Sequence, residues 1–269
     1  MKRFRGLALA GLVAGGCLCA AWAQANPVDL AAHRATYHMS LSSSRSGSGM
    51  ANASGTWSYA FRDSCDAWVT EFRLALTYSY AEGGQADTVT DFLGWESKDG
   101  LRYHFRVRQS RDGEVTDEVE GTARLNGPGQ GGVARFTRPE VRQIRLPKGT
   151  LFPTAHTLRL LALAERGEQA LARPLFDGQG DEGPFETSAR IGRVITTPPD
   201  GQANPLLAPP AWPMRMAFFP TRGSNPLPDF EMALVYHANG VARDIEQIFP
   251  NFSLHGKLES IEALPRPRC

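Results

Sequence analysis

Apolar and polar residues take turns along most of this chain, in short runs separated by turn signals. That rhythm restricts the fold more than any other property. Trp57, Tyr59 and Phe61 alternate with Ser58, Ala60 and Arg62. Then Trp68, Phe72, Leu74, Leu76 and Tyr78 alternate with Val69, Glu71, Arg73, Ala75 and Thr77. Successive side chains of a strand point to opposite faces, so period-two alternation marks strands with one wet and one dry face. The polar stretch 62–66 between these two runs reads as a hairpin turn with Cys65 at its tip or shoulder. Comparable runs cover 35–41, 50–61, 68–80, 88–95, 101–107, a more polar 114–125, 133–137 and 141–146. After an interruption they resume over 171–176, 185–196, 212–218, 230–236, 241–249 and 252–264. Turns such as Lys98-Asp99-Gly100, Arg111-Asp112-Gly113 and Asn239-Gly240 recur roughly every 10–12 residues, the spacing of an antiparallel meander.

The interruption is a single change of period. Phe152-Pro153-Thr154 precedes Leu158, Leu161, Ala162 and Glu165, with Gly167 beyond them. An early proline, a threonine in the capping position, a three-to-four repeat and a terminal glycine predict a helix over about 154–166. Its leucine stripe predicts one face packed on the sheet. No repeat or linker composition divides the remainder. The expectation is a mainly β chain of about 12–14 strands with one principal helix, folded as one domain over 24–269.

The first 23 residues have the make-up of a secretory signal: Lys2, Arg3 and Arg5, an apolar run from Gly6 to Ala21, and the small-x-small pattern Ala21-Trp22-Ala23. The apolar run is too short and too glycine-rich for a stable membrane span. The rival reading is lipidation at Cys17, in Ala14-Gly15-Gly16-Cys17. Cleavage after Ala23 leaves 26 basic and 28 acidic residues, and 26 − 28 = −2. Such a balance offers no field for nucleic acid or for an anionic membrane surface. Cleavage also leaves two cysteines, Cys65 and Cys269. In an oxidising compartment they have one possible pairing, a disulfide closing 204 residues; two free thiols are the alternative.

Candidate chemistry is sparse. The six histidines are scattered, without an HExxH pair. His33 and His38 have the spacing of half a zinc site, but an odd separation on a strand puts them on opposite faces. Gly127-x-Gly129-x-x-Gly132 mimics a dinucleotide fingerprint in the wrong context, followed by a strand, and reads as a hairpin loop. The acidic, glycine-rich stretch 177–183 lacks the closing glutamate spacing of calcium loops and reads as a polar turn. There is no G-x-S-x-G elbow. No metal or cofactor is expected. What remains is an apolar alternation, Trp212, Met214, Met216 and Phe218 with Phe230 and Met232. It is either core or one concave face holding a lipid chain or a partner segment.

Several local stretches resemble, in order, the EipB-like family of periplasmic cell-envelope integrity proteins. They are 30–37 (Leu-Ala-Ala-His-Arg-Ala-Thr-Tyr), Ser64-Cys65-Asp66-Ala67-Trp68, Phe152-Pro153-Thr154-Ala155-His156-Thr157, Phe176-Asp177-Gly178 and the terminal Cys269. The resemblance implies a strongly curved, unclosed antiparallel sheet, a β-spiral, and the family's disulfide at Cys65 and Cys269. It also implies a fold similar to periplasmic lipoprotein carriers. Its functional implication is a non-enzymatic periplasmic protein that supports envelope integrity by binding an envelope protein, lipid or lipoprotein. An envelope-polymer hydrolase whose site assembles only in three dimensions is the alternative expectation.

Overall fold

The computed structural model describes residues 28–180, 183–196, 204–221 and 226–269. The expected signal segment and Cys17 lie outside them, as do Asp181 and Glu182 of the acidic turn. Eight strands come first: β1 (His33–Ser44), β2 (Met50–Asp63), β3 (Ala67–Tyr80), β4 (Gln85–Ser97), β5 (Arg102–Arg111), β6 (Glu114–Leu125), β7 (Gly132–Arg138) and β8 (Arg142–Leu146). Helix α1 (Pro153–Glu165) follows. Six more strands complete the chain: β9 (Ala170–Leu175), β10 (Phe185–Ile191), β11 (Ala211–Pro220), β12 (Phe230–His237), β13 (Ala242–Ile248) and β14 (Phe252–Ala263).

All 14 strands form one sheet in the order β8-β7-β6-β5-β4-β3-β2-β1-β14-β13-β12-β11-β10-β9, every neighbour antiparallel. Each half is a meander; short turns join the strands of the first, whereas in the second the connections from β9 to β10 and from β10 to β11 are longer, the latter spanning 192–210. The halves meet where β1 pairs with β14, His33 opposite Ala263. β8 and β9 remain at the two edges, so the sheet does not close on itself. It must nevertheless curl, because residues from distant strands share one core through the helix. Leu171 on β9, Leu234 on β12, Met39 on β1 and Leu76 on β3 all join Leu160, Leu161 and Leu163 of α1 in one cluster.

A second core fills the curl of β4–β8. Phe92, Phe105, Val107, Val119, Ala134, Phe136 and Leu146 supply its wall. Phe152, just before the helix, and Phe176, just after β9, fill the middle, each 0% exposed. Phe176 meets Phe105 at 5.4 Å and Phe136 at 6.2 Å. The two ends of the sheet are brought near each other here: Leu151, beyond β8, donates to the Pro174 carbonyl of β9 and accepts from the Phe176 N–H. Gly178 holds a left-handed φ of 68°, and a Cβ there would come within 2.3 Å of the Phe105 ring. No other residue fits that approach without displacing the ring.

The helix differs from expectation at its start. Thr154 is not the cap: the N-cap position is Phe152, which has no side-chain oxygen, and Pro153 opens the helix. The capping role passes to Glu96 at the end of β4, whose carboxylate accepts the backbone N–H groups of Thr154 (2.7 Å) and Ala155 (2.8 Å). A carboxylate at the positive end of a helix satisfies donors that the helix itself cannot. The helix ends as expected, with Gly167 donating to the carbonyl of Ala164. The run expected over 185–196 stops pairing as a strand at Ile191, and β4 is longer than 88–95 at both ends.

The hairpin tip and the chain end are joined covalently. Cys65 and Cys269 form a disulfide with Cα atoms 5.6 Å apart. Cys65 has a left-handed φ of 61°, and its N–H donates to the Asp63 carboxylate at 2.9 Å. That is the local side-chain bond by which an aspartate shapes a turn. The tail after β14 runs outside the sheet, where Arg266 donates to Asp29 (2.8 Å) and to the carbonyl of Leu30 (3.2 Å).

Candidate ligand-binding face

Alternation puts Trp57 of β2, Phe72, Leu74 and Tyr78 of β3, and Phe218, Phe230 and Met232 of β11–β12 on the inner surface of the sheet. The expected apolar residues divide there. Trp212 (7% exposed), Met214 (2%), Met216 (5%) and Phe218 (5%) are buried in the helix-filled core. Phe230 and Met232 are only half-buried at its margin. Met216 pairs in register with Met232, and Phe218 with Phe230. Phe218 and Phe230 stack with centroids 4.2 Å apart.

That stack belongs to a longer row of rings. Phe185 meets Phe218 at 6.0 Å and Phe230 at 5.8 Å, both edge-on. Phe230 continues to Phe249 at 6.3 Å, Phe249 to Phe252 at 4.8 Å, and Phe252 to Tyr78 at 6.1 Å. Of the six rings only Phe218 is fully buried. Phe185, Phe249, Phe252 and Tyr78 were not singled out by sequence. The signal was present in Phe249-Pro250-Asn251-Phe252, a tight turn bracketed by rings, but β13 and β14 had to be paired before both could be placed on one rim. Leu74 and Trp57, both half-buried, carry the apolar strip from Tyr78 towards the middle of the sheet. The Trp57 indole N–H is shielded from solvent and has no acceptor among the described residues. A shielded donor without an acceptor costs about 1–3 kcal/mol, so it marks a place where a ligand oxygen would be stabilised.

The buried titratable groups are engaged in the fold. Burial pushes the Glu96 carboxyl up to about 7, against the two helix N–H groups that favour its charge. Burial likewise raises Asp177, whose carboxylate accepts the Gln179 N–H at 3.0 Å. His156 is pushed down to about 4 by burial and sits 3.3 Å from the Thr187 hydroxyl. His237 is lowered by burial; its Nδ1 donates to the Pro209 carbonyl (2.8 Å) while Nε2 accepts from Arg243 (3.2 Å). His33 is buried and His38 exposed, on opposite faces of β1. Among the described residues no three of His, Cys, Asp and Glu converge as metal ligands. Gly127 and Gly129 lie in the hairpin loop between β6 and β7, closed by Asn126 donating to the Gly131 carbonyl, and Gly132 is the first residue of β7.

The family model described as EipB-like matches residues 24–265. The chain belongs to the EipB-like family. It is 28% identical over 243 residues to the cell envelope integrity protein EipB of Brucella abortus (strain 2308), covering 88% of this chain and 86% of that one. It also matches a crystal structure from Brucella abortus, described as a β-barrel-like protein of a domain of unknown function. There the TM-score is 0.82 at 28% identity, covering 88% of this chain and 100% of the other. An envelope-integrity role and an unclosed, barrel-like antiparallel sheet therefore stand together. No helix among the described residues is long and apolar enough to cross a membrane.

Proposed function

We propose that this protein is an exported, periplasmic, non-enzymatic member of its family. It supports envelope integrity by holding the acyl chain of an envelope lipid or lipoprotein along the inner face of its curled sheet. The observation that carries this reading is the unbroken row from Phe185 through Phe230, Phe249 and Phe252 to Tyr78, aromatic yet half-open to solvent. Rings of this kind contribute large apolar contact without requiring a preset ligand shape. Helix α1 fills only the deeper part of the curl, where Leu160 and Leu161 are 0% exposed. An apolar chain on the row would gain roughly 0.8 kcal/mol per methylene it buries. The Trp57 N–H lies further along the strip, where an ester carbonyl or hydroxyl could accept it.

The test is native mass spectrometry of the purified protein, together with quenching of its tryptophan fluorescence by a brominated fatty acid. Saturable quenching, lost in the double variant Phe230→Ala, Phe252→Ala, is the expected result. If no amphiphile co-purifies and the brominated probe does not quench, the lipid reading fails. Capture of a protein segment on the same ring row would then replace it.

A further inference from the structure

The outer face of the sheet holds a second feature, independent of the ring row. Across β1–β5 runs an open cleft of about 560 Å³, a size typical of small-molecule sites. Its lining includes five arginines, Arg34, Arg62, Arg73, Arg106 and Arg108, against two acids, Glu71 and Asp91. The chain as a whole is nearly balanced, with 29 basic and 28 acidic residues, so this concentration is local.

The ion pairs show where charge is left over. Arg34 holds Glu262 at 2.8 Å, Arg62 holds Glu71 at 2.6 Å, and Arg73 holds Asp91 through two bonds of 2.7 and 2.8 Å. Glu118 lies 3.6 Å from Arg108 and is already bound by Arg138. Arg106 has no ion pair among the described residues, although Glu120 is its register neighbour on β6. Arg106 and Arg108 are two residues apart on one strand, so both point outward with Cα atoms roughly 7 Å apart. Two incompletely neutralised guanidinium forks at that spacing match one tetrahedral dianion.

Beside them the cleft is apolar. Leu93 stands in register with Arg106 on one side and Glu71 on the other and is 45% exposed, unusual for a leucine on an inner strand of a sheet. Ala60 and Ser58 continue this low floor towards Arg34, which is in register with Ala60. Strands spaced about 4.8 Å apart put β1 and β5 roughly 19 Å apart, room for a body lying between the two basic ends.

We propose that this trough binds a phosphate monoester. The phosphate is gripped by Arg106 and Arg108, and the attached organic group lies over Leu93. The same chemistry is carried by soluble phosphorylated metabolites and by the headgroup of phosphatidic-acid-type lipids, and the test separates them. Calorimetric titration of the full-length processed chain, disulfide intact, would use phenyl phosphate, with inorganic phosphate and phenol as comparisons. Co-sedimentation would use phosphatidylcholine vesicles with and without phosphatidic acid. Phenyl phosphate is expected to bind saturably and more tightly than either comparison, and Arg106→Ala, Arg108→Ala to weaken it by about tenfold or more. Both side chains are exposed, so the melting temperature of that variant should not move. Selective binding to phosphatidic acid vesicles, lost in the same variant, assigns a headgroup as the source; its absence beside phenyl phosphate binding assigns a soluble ligand. Absence of saturable binding in both arms overturns the proposal, as does binding that the double variant leaves unchanged. Phe230→Ala, Phe252→Ala should leave this site intact, so either site can fail without the other.

Discussion

The two cores are built on opposite plans. The core of β4–β8 is plugged by two phenylalanines, and among the described residues only Phe72 and Leu101 stand partly buried at its margin. Among the described residues the core around α1 has 22 buried members and another 19 apolar residues that are only partly covered. A helix presents one stripe to a surface that curves around it on several sides, so the rim beyond that stripe stays open. Phenylalanines arriving from two separate connections can be placed where the wall needs them, and the space is sealed. The sealed half leaves little apolar surface over; the open half keeps an apolar rim that its own helix does not cover.

The disulfide should have the largest effect, because it ties the segment after β14 to the β2–β3 hairpin across the end of β1. A loop of 204 residues corresponds to roughly 5 kcal/mol of chain entropy. Cys65→Ser should therefore lower the urea midpoint strongly in oxidising buffer, Cys269→Ser should match it, and the double variant should add little. Hydrogen exchange should show the weakening in β1 and β14 before β5–β7; the reverse order would break the distinction drawn above. Next in size, Phe176→Ala should cost about 3–5 kcal/mol, since the wall around it cannot collapse. Phe252→Ala, on the open rim, should cost about 1 kcal/mol or less. Equal losses in denaturant titrations would mean that the rim is core after all.

The smallest effect is in pH dependence. The folded pKa of Glu96 is raised, so protonation favours the folded state. Its contribution is greatest at acid pH and is lost as pH rises from the ordinary carboxyl range through about 7. His156 is depressed to about 4, so its contribution is present at neutral pH and lost as pH falls from 6.5 through about 4. The two oppose each other over much of one window. Glu96→Gln should make stability fall more steeply on acidification, and His156→Asn should make it fall less, as read from chemical denaturation across that range.

Much of this architecture was legible in the chain. Tyr103, Phe105 and Val107 are buried and Arg102, His104 and Arg106 exposed, as their alternation requires. Asn239-Gly240 forms its turn, and one face of α1 is buried, but that face is Leu160, Leu161, Leu163 and Ala164: of the expected stripe only Leu161 is buried, Leu158 and Ala162 are half-buried and Glu165 is exposed. What local pattern could not carry was pairing at a distance. The cap of α1 comes from Glu96, 58 residues before Thr154. Nothing in the alternation of β1 says that its second neighbour is β14. The ring row was half visible: β11 and β12 are neighbours in sequence, so Phe218 and Phe230 could be placed together, whereas Tyr78 and Phe252 meet only through the β1–β14 junction. Nor can alternation separate core from rim, because both want an apolar residue at every second place.

That junction has a consequence for how the molecule is made. β1 lies in the interior of the sheet, yet one of its two neighbours is the last strand of the chain. As the chain folds, the first eight strands can zip up in sequence order. The free side of β1 must then wait, unpaired and ready to template the wrong strand, until β14 docks. Fastening the hairpin at Cys65 to Cys269, just beyond β14, then holds that strand in place and turns a late docking event into a locked one for as long as the disulfide stays oxidised.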